Sequence, residues 1–202
     1  MHVSVPRLTQ EQRRARSREA LLESAARGLS KYGYANLVLE QVARDAGYTR
    51  GALYHQFADK EELALAVLRW VDEMWRREVG EPAAALSDDP VASLLELARG
   101  HAIICRRDIA RVAMALRMEF SGQDHAVGRE VERITEGLVK RVAKLITAGR
   151  RAGSIPPGPP ARACALAVAG ALEGAVITLA GQAPHDVALA QRVVAGVLGV
   201  AT

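Results

Sequence analysis

The sequence is poor in aromatic residues and in cysteine. Only 4% of its 202 residues are Phe, Trp or Tyr, and Cys105 and Cys164 are its only thiols. Two distant cysteines exclude a disulfide framework and a thiolate metal cluster, and they fit a reducing, cytoplasmic setting. The polar N-terminus lacks the apolar core of a secretory signal. No segment alternates apolar and polar residues as a half-buried strand would. The apolar stretch 161–183 is rich in Ala and Gly but carries Arg162 and Glu173. It reads as a buried helix and a poor membrane span, so no membrane partner is expected. Also missing are a nucleophile–base pair, a glycine-rich phosphate loop and a metal-ligand set. No catalytic residue, cofactor or metal is therefore expected, and an all-α small-molecule enzyme is the weakest reading.

Half the residues are apolar and a quarter are charged, as in a folded soluble protein. Alanine is abundant and favours helices. The expected fold is all-α. The net charge of +4 is unevenly placed. Residues 1–60 hold 10 Lys/Arg against 6 Asp/Glu, whereas 61–202 hold 17 of each. A basic head, 1–60 with a basic arm at 1–12, on a neutral body, 61–202, suits a polyanion-binding module attached to a body with another task.

Leu39–Phe57 organises the head. Leu39, Val42, Ala43 and Ala46 recur with helical period. Gly47 can end that helix in a left-handed conformation. Thr49 can cap a second helix that carries Leu53 and Phe57 inward. Two helices about a glycine turn form a helix-turn-helix, whose second helix enters the DNA major groove. The plain alternative is a helical hairpin in a core.

The flanks extend the pattern. A helix from about Glu11 to Gly33 buries Leu22, Ala25, Ala26 and Leu29. Asn36 is the expected cap of the next helix. Asp59 and Glu62 form a capping-box pattern before a helix from Lys60 to about Val79, expected to stop at Gly80, Glu81 and Pro82. Asp89-Pro90 starts another. Helices are expected at about 109–120, through the Val127–Leu145 apolar series, and at 161–180 and 185–200. The proline-rich 154–160 segment is a rigid loop.

Residues 13–68 resemble the DNA-binding domain of the tetracycline-repressor (TetR) family. The likeness rests on Gly33-Tyr34, Val42-Ala43, Ala46-Gly47, the run Thr49 to Phe57, and Asp59 to Leu63. It implies a dimeric transcriptional repressor with nine helices, three for DNA and six for ligand binding and dimerisation. By position Thr49, Arg50 and Ala52 would face base edges, and Tyr54, His55 and Lys60 would meet phosphate or flanking bases. Leu37 and Val38 depart from the family, which often has a capping threonine there. Tyr48 replaces a small aliphatic, and its phenol would either pack or reach a phosphate.

Arg50 suits either guanine O6 and N7 or a phosphate. The expected partner is double-stranded DNA with a near-palindromic operator, because one recognition helix reads too few base pairs. A homodimer would use the last two helices through Ala169, Gly170, Leu172, Gly174, Val176, Ile177, Val194 and Val197, where small residues allow close approach. Packing within one subunit is the alternative. A small, mostly apolar effector would sit among Trp70, Met74, His101, Cys105, Met114, Arg117, Met118, Phe120, Glu173 and Thr178, and would be cationic if Glu173 faced it. Each of these is equally readable as ordinary core. An architectural DNA-binding protein without a ligand is the competing function, and the long neutral body argues against it.

Overall fold

The computed structural model describes residues 9–179 and 182–201, apart from the side chain of Val176. Among the described residues there are nine main helices and no strand. They are α1 (Gln10–Tyr32), α2 (Leu39–Asp45), α3 (Arg50–Tyr54), α4 (Lys60–Trp75), α5 (Pro90–Ile104), α6 (Val112–Phe120), α7 (Ala126–Ala152), α8 (Ala161–Leu179) and α9 (His185–Leu198).

Local chemistry sets most of the boundaries. Thr9 and Gln12 form a reciprocal capping box, so α1 starts one residue before the expected Glu11. Gly33 ends it with φ +74°. Thr49 accepts from the Ala52 amide and caps α3, and Asp59 accepts from Glu62 and caps α4. Glu62 reaches back to the Ala58 amide, one residue before the cap. Asp89 accepts from Val91 and Ala92. Gly47, at φ +76°, makes the turn between α2 and α3.

Three expectations need correcting. Asn36 does not cap α2; its amide donates to the Tyr32 carbonyl, and Val38 occupies the cap with no side-chain bond. The recognition helix is shorter than Thr49–Phe57 suggested, because the chain leaves α3 after Tyr54 through a turn that still buries Phe57. Gly80 and Pro82 do not stop α4. The helix widens into a π turn, Arg76–Gly80, and continues as Glu81–Ala84. Proline clashes with the carbonyl four residues earlier, here Glu78, and the wide turn lies at that point.

The head is α1–α3 with the start of α4. Leu21, Leu29, Leu53, Phe57 and Leu63 are fully buried between them. Ser24 on α1 donates to the Val42 carbonyl of α2 at 2.9 Å, a buried bond that fixes their register. In the body α7 packs on α8, and α9 packs on α8 and α5. A bidentate pair from Arg106 to the buried Asp186, at 2.8 and 2.9 Å, ties the end of α5 to the start of α9.

Head and body meet at a latch. Glu119, near the end of α6, accepts from the backbone amides of Tyr34 and Ala35 at 2.6 and 2.7 Å. Tyr34 packs edge-on against Phe120 and His125. Lys60 closes the same loop by donating to the Ala35 carbonyl at 2.9 Å. A Cβ on Gly33 would lie 2.7 Å from the Glu119 carboxylate, so glycine is needed here for both space and φ.

Candidate DNA-binding and ligand sites

The turn after α2 and the short α3 present Thr49, Arg50, Tyr54 and His55 to solvent, with Ala52 and Tyr48 half-buried beside them. Leu53 and Phe57 anchor the helix underneath, and Arg18 of α1 lies 4.6 Å above the Phe57 ring. Tyr48 packs against the core, which favours packing among its two expected roles. Arg50 is not idle. It pairs with Glu40 of α2 at 2.7 Å and lies over the Tyr54 ring at 5.4 Å. Lys60 is turned to Ala35 and to the Tyr34 ring, so a phosphate contact would require it to leave both. Arg13, Arg14 and Arg16 are exposed along α1. Glu40 is the residue missed by sequence reasoning; its spacing gave no sign that it would meet Arg50.

The body holds a cavity of ≈ 210 Å³ between α4, α5, α6, α7 and α8. Of the expected ligand residues, His101, Arg117 and Glu173 line it. Leu68, Val71, Trp75, Ile134 and Leu138 supply apolar wall, and Arg76, Arg133 and Arg141 stand around them. Trp75 and these arginines were not anticipated, because single surface arginines on a helix read as solvated. The other expected residues lie elsewhere. Trp70 packs half-buried against the core and Met74 is buried under Arg107. Cys105 is buried beside His101, and Phe120 stacks on His125. Met114 and Met118 line a separate groove of ≈ 660 Å³ with Arg117, Glu173 and Ile177. Thr178 is exposed and donates to the Gly174 carbonyl.

The charge of Glu173 is already matched inside the protein. Glu173 faces the cavity, but Arg117 holds its carboxylate at 2.6 Å and also donates to Thr135. Trp75 donates to His101 Nδ1 at 3.1 Å, which leaves the imidazole proton on Nε2, 3.7 Å from the Cys105 sulfur. Burial lowers the His101 pKa to about 4 and raises the Cys105 thiol to about 12. Both groups are neutral at pH 7, and the thiol is a poor nucleophile. Among the described residues no three His, Cys, Asp or Glu side chains could hold a metal.

The expected dimer face divides in two. Ala169, Leu172 and Val194 are buried within the chain, so they belong to its own core. Gly170, Gly174 and Ile177 are exposed, with Leu166 on the same side of α8, and Val197 is half-buried on α9. The side chain of Val176 lies outside the described residues.

The geometry defines a helix-turn-helix head on an all-helical body with an internal cavity. Residues 21–67 match the model described as "Bacterial regulatory proteins, tetR family". AcnR of Corynebacterium efficiens, an HTH-type transcriptional repressor, is 40% identical over 53 residues, 26% of this chain. The matched stretch spans only 28% of that protein's length. RutR of Escherichia coli K12, an HTH-type transcriptional regulator, is 27% identical over 145 residues, 71% of this chain and 66% of its own. The crystal structure of AibR in complex with isovaleryl coenzyme A and operator DNA superimposes with a TM-score of 0.73 at 18% identity, covering 92% of this chain and all (100%) of that one. Over residues 21–67 the chain is similar to the tetR family of bacterial regulatory proteins, and its whole fold is shared with solved regulators of that kind. These named relatives are regulators, not enzymes.

Proposed function

We propose that this chain is a cytoplasmic, homodimeric transcriptional repressor released from its operator by a small ligand. One observation carries the reading: α4 begins beside the recognition helix at the Asp59 cap and ends at Trp75 in the wall of the body cavity. A ligand there acts on an element that also positions α3. The Glu119 latch provides a second connection, from α6 to the loop between α1 and α2. In this reading residues 1–60 form the DNA-binding unit and 61–202 the ligand-binding and dimerisation unit.

Thr49, Arg50 and Ala52 read base edges, and Tyr54, His55 and Lys60 secure the backbone, with Arg50 exchanging Glu40 for DNA. Two copies meet through the outward stripe of α8, Leu166, Gly170, Gly174 and Ile177, together with α9. The stripe is apolar, and among the described residues nothing beyond the helix's own backbone lies within 4 Å of a Cβ built on Gly170 or Gly174. Two recognition helices then address half-sites roughly 34–36 Å apart, or a multiple of that spacing. The ligand need only bind the splayed dimer better than the DNA-competent one, with a coupling of about 1–3 kcal/mol. AibR, whose fold this chain shares, was crystallised with both an acyl-coenzyme A and operator DNA.

Gel shifts on DNA flanking the chain's own gene test the reading. A retarded complex released by ligand is expected, and operator must weaken ligand binding by the factor by which ligand weakens operator binding. Retardation indifferent to every ligand would instead favour an architectural DNA-binding protein.

A further inference from the structure

We propose that the cavity ligand is an amphipathic acid, with its anionic group held by Arg141 and its apolar body against Trp75, Leu68, Val71 and Leu138. The inference rests on the ligand-responsive reading of the same cavity and specifies its chemistry. The cavity walls contain two carboxylates, and both are engaged: Glu173 with Arg117 at 2.6 Å, and Asp72 with Arg133 at 3.3 Å. A cationic ligand would have to break one of these pairs. Of the four lining arginines, Arg76 is held between Glu73 and Glu81, Arg117 by Glu173, and Arg133 by Glu130 and Asp72. Arg141 makes no ion pair among the described residues. Its guanidinium lies over the Trp75 indole, 5.7 Å from the ring centroid.

The backbone makes room for it. Gly80 closes the π turn of α4, and a Cβ there would lie 2.7 Å from Arg141 Nη1. A π turn inserted in a helix recurs at functional sites. Here it widens α4 beside the one lining guanidinium that holds no carboxylate among the described residues. A guanidinium presents a planar fork that matches a carboxylate or phosphate with two parallel bonds. Below it the wall is apolar, with Leu68 and Val71 fully or almost fully buried. The ≈ 210 Å³ of space lies below the roughly 300–1,000 Å³ of a drug-sized site, which suits a short acid better than a large carrier-bound one.

Titration calorimetry on the full chain, with one tail and five head groups, tests this: octanoate, octyl phosphate, octanamide, octylamine and octanoyl-coenzyme A. Octanoate or octyl phosphate is expected to bind at least about tenfold tighter than the amide and the amine, a factor that about 1.4 kcal/mol supplies. Octanoate binding tighter than octanoyl-coenzyme A assigns the site to free acids; the reverse order assigns it to phosphate-bearing carriers, with the anion preference intact. Arg141→Gln should abolish the preference for acid over amide while the amide still binds, which separates loss of the anion contact from loss of folding. Amide or amine binding as tightly as both acids overturns the proposal, as does an unchanged preference in Arg141→Gln or no binding of either acid. An acid that binds but leaves operator affinity unchanged would sink the regulatory reading and leave the ligand class standing. Operator release by the amine alone would do the opposite.

Discussion

Head and body treat their positive charges differently. In the head, only Arg27 and Arg50 form ion pairs among the described residues, and Arg13, Arg14 and Arg16 stay exposed along α1. In the body, Arg76, Arg99, Arg106, Arg107, Arg117, Arg133 and Arg162 each hold a carboxylate. A surface built to exchange counterions for phosphates keeps its cations uncommitted. Of these body arginines, Arg106, Arg107, Arg117, Arg133 and Arg162 tie one element of the body to another, whereas Arg76 and Arg99 pair within their own helices. Two residues run against this contrast where it matters most: Arg50 of the recognition helix is paired, and Arg141 is the one arginine lining the cavity that holds no carboxylate among the described residues.

The strongest perturbation of this contrast is loss of the head's core. Leu53 is fully buried in a helix of five residues that cannot stand alone. Leu53→Ala should cost about 2–5 kcal/mol in urea unfolding and abolish operator binding. A loss below 1 kcal/mol would mean that α3 is held by something other than this anchor.

Acid should strike the body first. His101 has a folded pKa of about 4 against an ordinary 6.5, so between those values the unfolded chain binds the extra proton. Stability is therefore constant above pH 6.5 from this source and falls as pH drops toward 4. The fall is about 3 kcal/mol at most, at ~1.36 kcal/mol per pH unit. His101→Gln, which keeps an acceptor for Trp75, should flatten this part of the stability–pH curve. An unchanged slope would place the acid sensitivity elsewhere.

Gly174→Leu should leave the monomer's fold intact, since among the described residues the built Cβ meets nothing beyond its own helix. It should weaken the proposed dimer by about 1–3 kcal/mol through overpacking, read as a shift in the concentration at which light scattering reports dimer. A wild-type monomer at micromolar concentration would remove the basis for this prediction.

Substitutions at the DNA surface are expected to act on a similar or smaller scale. Arg50→Ala should lose about 1–3 kcal/mol of operator affinity and relax one base preference per half-site. Glu40→Gln frees Arg50 from an exposed pair, so it should tighten binding to all sequences by less than about 1 kcal/mol. Weaker binding in Glu40→Gln would mean that the carboxylate orients Arg50 for DNA rather than restraining it.

Signals within a few residues were legible in the sequence: the Thr49, Asp59 and Asp89 caps, the Gly47 turn and the inward Leu53 and Phe57. Long-range pairings were not. Nothing near Tyr34 marks Glu119 as its partner, and Glu40 and Arg50 belong to different helices. The orientation of α8 was also hidden. Apart from Arg162, Glu173 and Thr178 it is apolar all round, so periodicity cannot tell the inward Ala169 and Leu172 from the outward Gly170 and Ile177. Little of the cavity was legible: of the ten residues expected around a ligand only His101, Arg117 and Glu173 line it, and Arg141 looked like any solvated helix residue. The π turn was misread because Gly80 and Pro82 ordinarily end a helix, and only packing of the following turn carries it on, with Ser93 donating to the Ala83 carbonyl.

The Glu119 latch also limits how portable the head is. Two peptide hydrogens of the α1–α2 loop are satisfied by a carboxylate that arrives from a helix more than eighty residues away. A head grafted onto another body would lose that acceptor unless the recipient supplied a carboxylate at the same place. A body given a foreign head would present a charge to a loop not shaped to receive it. Exchange of operator specificity between relatives should therefore be easier by changing the outward residues of α3 than by moving the domain. If a whole head is moved, Glu119 must travel with Gly33, Tyr34 and Ala35, and Phe120 and His125 with the Tyr34 ring.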